Sequence, residues 1–158
     1  MTTGIPLIGG LLNGILTAIV LTVGMLSRRF NWNATVMWLT FSLLATVTTT
    51  LGPPGFYKIG IGLIAGLLWD VIYKLSNYKW SGLVVGGLVG SGSIMISLIV
   101  FLNFGFGEDT SEALAKYKSN FWIIIVMNLI ITFVGIFLGR LLYNQRLKNL
   151  VTFKNING

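Results

Sequence analysis

Five apolar stretches take up most of this chain: roughly Ile5–Leu26, Ala34–Leu51, Phe56–Leu75, Leu83–Asn103 and Phe121–Tyr143. A helix needs about 20 mostly apolar residues to cross the ~30 Å hydrocarbon core of a bilayer, and each run is close to that length. The segments between them are short and polar: SRRFNWN, a GPPG turn, SNYKWSG and the longer GFGEDTSEALAKYKSN. Only 9% of the residues are charged, against about 25% in ordinary soluble domains. So few charges cannot clothe a compact fold in water, so lipid has to be the main solvent. The expected fold is all-α, a polytopic transmembrane bundle of about five spans with a short extracytoplasmic helix. Residues 1–158 read as a single integral membrane domain.

Orientation follows from the basic residues. Arg28, Arg29, Lys74, Lys79, Arg140, Arg146, Lys148 and Lys154 fall at one side of the expected spans, and Lys58, Lys116 and Lys118 at the other. Cytoplasmic loops carry the excess of Lys and Arg. The expected topology in the cell membrane therefore has the N-terminus outside and the C-terminus cytoplasmic. Three of the four acids, Glu108, Asp109 and Glu112, then lie outside. Asp70, the fourth, precedes Lys74 by one helical turn, where the two can offset each other. In the outer loop Asp109 and Glu112 are spaced as a capping box, followed by Ala113, Leu114 and Tyr117 as an apolar stripe.

Composition excludes several chemistries. The chain has no cysteine and no histidine, which removes thiolate and imidazole metal sites and the commonest general base near neutral pH. It shows no GxSxG elbow and no phosphate-cradling loop followed by Lys-Ser/Thr. It is not expected to be an enzyme or to hold a cofactor or metal. The charge of +7 sits at span ends, so no nucleic-acid partner is expected. The opening MTTGIPL lacks a positive n-region, and no cleavable leader is expected.

Small residues recur at four-residue spacing: Gly10, Gly14 and Ala18; Gly62 and Gly66; Gly82, Gly86 and Gly90; Gly135 and Gly139. In lipid such stripes allow close helix approach. They serve packing within the chain or docking of another membrane subunit. The candidate docking faces are Gly10, Gly14 and Ala18, and Gly82, Gly86 and Gly90.

Polar side chains at membrane depth are costly, so their placement carries information. With the topology above, Asn13, Tyr57, Lys58, Asn103, Trp122 and Asn128 all fall in the outer half, with Thr46, Thr48, Thr49 and Thr50. Pro53 and Pro54 fix φ and remove two backbone donors, while Gly52 and Gly55 permit the reversal. That turn sets Tyr57 and Lys58 beside the polar ends of the other spans. The six side chains are candidate ligands for a small molecule, if they share a hollow. Otherwise they form an interfacial belt.

The stretch GPPGFYKIGIGLIAGLLWDVIY and the ending NLIITFVGIFLGRLLYNQRLKNL resemble S components of energy-coupling factor transporters, over about a third of the chain. The resemblance implies a small helical membrane protein that captures a vitamin-like molecule or metal from outside and imports it with a T component and two ATPases. Those S components have six helices with both termini cytoplasmic, whereas five spans are counted here. The family's small-residue docking motif lies on its first helix. Its nearest match here, Gly10, Gly14 and Ala18, falls on the second in that alignment. Two readings therefore stand: the substrate-binding component of an uptake transporter energised by partner subunits, or a structural subunit of a larger membrane complex docked through glycine-rich helices.

Overall fold

The computed structural model describes residues 5–27 (side chains from Leu12 onward), 32–48, 54–104, 115 and 118–147. The described residues are all-α, with five helices and no strand. These are α1 Ile5–Ser27, α2 Asn33–Ala45, α3 Tyr57–Leu75, α4 Trp80–Asn103 and α5 Phe121–Leu142, the last continuing into a π-helical turn, Tyr143–Leu147. The expected outer helix around Asp109 and Glu112 lies outside the described residues, apart from Ala115, Lys118 and Ser119, which are helical.

Among the described residues, two helices are long and apolar enough to cross a membrane: α4, and α5 with its continuation. At 13 residues α2 is too short to cross, and α3 carries Lys58, Asp70 and Lys74; α1 is 23 residues long, with side chains described from Leu12 onward. The run expected to reach Leu51 stops being helical at Ala45, where Thr46 and Thr48 turn their hydroxyls back onto the carbonyls of Leu43 and Ala45 at 2.7 and 3.0 Å. Those bonds satisfy C-terminal acceptors that the helix leaves open.

Neighbours in space run α2–α3–α4–α5–α1, and α1 touches α2 only thinly. Glycines set the three tight seams. At Gly66 a methyl group would stand 2.5 Å from the Thr35 Cα, at Gly90 2.8 Å from the Ala65 carbonyl oxygen, and at Gly135 2.4 Å from the Ala18 Cβ. The stripes predicted from spacing thus face the chain's own helices. Gly82 and Gly86 abut Ser76 and Trp69 of the α3 hairpin arm, and Gly14 abuts Ile131 of α5. Gly14, Ala18, Gly82, Gly86 and Gly90 are taken up internally, because two helices of one chain bury each other's backbones there. The surroundings of Gly10 lie outside the described residues.

Trp69 is the largest fully buried side chain, and its indole N–H donates to the Leu83 carbonyl at 3.0 Å. Around it the core is built mainly from α3 and α4, with Ile61, Ala65, Leu83, Ile94 and Leu98. The α3–α4 turn places Asn77 and Tyr78 at φ of 54° and 58°, and the Tyr78 ring meets Tyr73 edge-on at 5.3 Å. At the same end Arg140 of α5 lies 4.1 Å over the Trp80 ring. By contrast, α5 buries only Thr132, Gly135, Ile136 and Gly139. It presents Ile123, Ile130, Phe133 and Phe137 outward, an apolar face of the kind that meets lipid or another protein.

Candidate functional site

A helix of 13 residues is about 20 Å long, and the backbone groups left open at its ends need partners wherever they are buried. Both ends of α2 find them on α3. Asp70, 4% exposed, accepts the Ala34 N–H at 3.0 Å, the Thr35 N–H at 2.8 Å and the Thr35 hydroxyl at 2.7 Å. Lys58, with no exposed surface, donates to the Ala45 carbonyl at 2.9 Å and to that of Thr48. A carboxylate at the positive end and an ammonium at the negative end also match the helix dipole. The local N-cap position is Trp32, whose side chain makes no capping bond, so the cap comes from α3 instead.

This arrangement reassigns two residues. The Asp70 carboxylate, expected to offset Lys74 at the membrane surface, is occupied by the start of α2, and Lys74 is exposed. Lys58, expected to face a ligand, is committed to α2 carbonyls. They are two of the three charges on α3, and nothing in their spacing marks α2 as their partner.

The remaining candidate ligands are spread over the bundle. Tyr57 is buried at the start of α3. Asn128 of α5 donates to the Ser91 carbonyl of α4 at 2.9 Å. Asn103 donates to the Ile99 carbonyl of its own helix at 2.9 Å and accepts from Lys118 at 3.4 Å. Trp122 is 74% exposed and edge-on to Phe121. Asn13 is exposed on α1. Of the two hollows described below, Asn13 lines one and Trp122 the other, and Tyr57, Lys58, Asn103 and Asn128 line neither.

Two open hollows lie among the described residues. The larger, about 370 Å³, lies between α4 and the start of α5 and is lined by Lys118 and Trp122 with Ile96, Ile99, Val100 and Phe121. The other, about 280 Å³, lies where α1 and α2 fail to close. From α1 come Asn13, Leu16, Thr17 and Val20, spaced as one helical face; from α2 come Met37, Trp38 and Phe41. This cleft has apolar walls and two neutral polar groups on α1, the composition of a small-molecule site. Trp38 is buried, and its indole N–H has no acceptor, a costly state in an apolar medium. Asn13, a candidate from the sequence, lines this cleft together with Trp38, which the sequence did not single out because an aromatic at helical spacing reads as core. Among the described residues no group of acids could hold a metal ion.

No family model matches the chain, and no curated protein and no solved structure matches it either.

Proposed function

We propose that the chain is the membrane-embedded binding component of an uptake system, with the α1–α2 cleft as its site and a multi-pass bundle as its frame. The observation that carries this reading is the single weak closure in the ring of helices, which coincides with a hollow of small-molecule size. The ligand class it suits has an apolar body and at least one polar group, able to meet the Asn13 amide or the Thr17 hydroxyl. The cleft opens sideways between helices, so entry from the bilayer is as accessible as entry from water. Energy for any inward step comes from partner subunits, as the resemblance to energy-coupling factor S components implies.

Thermal unfolding of the purified protein against a panel of water-soluble vitamins and lipophilic amides tests this. At least one compound raises Tm for the native chain and leaves Thr17→Trp, whose cleft is filled, unmoved. The same rise in both variants removes the cleft as the site.

A second reading has its own support. The broad exposed face of α5 suits a structural subunit held in a larger membrane complex. Co-purification from membranes separates the two: an ATPase-linked transmembrane partner favours uptake, and a large assembly that is lost when Phe133 and Phe137 become Ala favours scaffolding.

A further inference from the structure

Ile96 and Val100 stand one turn apart on α4, both about half exposed, and with Ile99 they floor the groove that Phe121 and Trp122 of α5 wall. Lys118 lies at the same groove, just before α5 begins. Its ammonium has the neutral Asn103 amide oxygen as hydrogen-bond partner at 3.4 Å, so its charge meets no carboxylate among the described residues. Trp settles at the headgroup level of a bilayer, and Lys near a helix end reaches to the same level. Apolar floor, indole and cation thus share one groove, the groups that an acyl chain, an ester region and a phosphate would meet.

We propose that this groove binds one anionic phospholipid, its phosphate on Lys118 and an acyl chain along Ile96, Val100 and Trp122. The site is separate from the α1–α2 cleft and does not depend on its role. A free phosphate would use the cation and leave the apolar floor idle, which is why the occupant is a lipid.

The test is native mass spectrometry of the full chain released from vesicles of phosphatidylcholine doped with phosphatidylglycerol. The native protein retains phosphatidylglycerol in preference to phosphatidylcholine. Lys118→Gln lowers phosphatidylglycerol retention about fivefold and leaves phosphatidylcholine adducts unchanged, while Lys79→Gln at the opposite end changes neither. Val100→Trp, a substitution on an exposed face, lowers both lipids by filling the groove. Equal retention in Lys118→Gln and Lys79→Gln overturns the phosphate assignment. Unchanged adducts in Val100→Trp overturn the groove. Displacement of the lipid by soluble glycerol phosphate shows a free-anion site and overturns the proposal as well.

Discussion

Lys58 and Asp70 of α3 hold opposite ends of α2, the base on its last carbonyls and the acid on its first amides. Neither charge has solvent to fall back on, with 0% and 4% of its surface exposed. The two residues make α2 and α3 one unit, which leaves the α1–α2 seam as the place where the bundle can yield.

Removing either end of this clamp strands buried polar groups. Asp70→Ala leaves two amides and a hydroxyl without an acceptor, and costs about 2–4 kcal/mol. Lys58→Met removes a donor from the Thr48 carbonyl and one from the Ala45 carbonyl, which keeps the Thr48 hydroxyl, and costs about 1–3 kcal/mol. Denaturant titration in detergent, followed by circular dichroism, reads both. Stabilities within about 0.5 kcal/mol of the native chain would show that the clamp contributes little.

The glycine seams make a sharper contrast. Gly66→Ala drives a methyl into the Thr35 backbone and Gly135→Ala drives one into Ala18; each loses about 1–3 kcal/mol from overpacking. At Gly92 the nearest neighbour of an added methyl is the Leu129 Cδ2 at 3.8 Å. Gly92→Ala is accordingly neutral or gains up to about 1 kcal/mol of helix propensity. Matching losses at all three positions would contradict the close approach of the helices.

Asn128 is tied to α4 and stands apart from the cleft. Asn128→Leu therefore changes stability by less than about 1 kcal/mol, the usual size of an interhelical hydrogen bond in lipid. It leaves any ligand-induced rise in Tm intact. A lost rise would return Asn128 to the binding site.

The chain lacks cysteine, so paired spin labels can be introduced without other changes. Labels at Val20 and Val36, exposed on α1 and α2, report the seam; labels at Val36 and Val71 report the clamped α2–α3 pair. The seam distances spread more widely than those of the clamped pair, and a bound ligand narrows them. Equal widths without ligand would mean that the seam is as rigid as the clamp.

The apolar runs alone determined that the described elements are helices, because unbroken apolar stretches of that length, without period-two alternation, suit helices and not strands. The spacing of Gly62, Gly66, Gly135 and Gly139 likewise marked faces of close approach before any partner was known. Which helix would fill each face was not legible, since every stripe is a plausible complement to every other. Only the tertiary structure paired Gly135 with Ala18 and Gly90 with Ala65.

The polar residues show the same division. Their number and positions are written in the chain, but a hydrogen bond is decided over about 3 Å, and sequence spacing does not resolve that. Asp70 looked like a partner for Lys74 one turn away, and the fold gave it the start of α2. Lys58 looked free to meet a ligand, and the early end of α2 at Ala45 claimed it. Asn103 and Asn128 went to nearby carbonyls. Charge content and hydrophobic length act along the chain and can be read there; which donor meets which acceptor depends on how the helices stack, and the tertiary structure alone decides it.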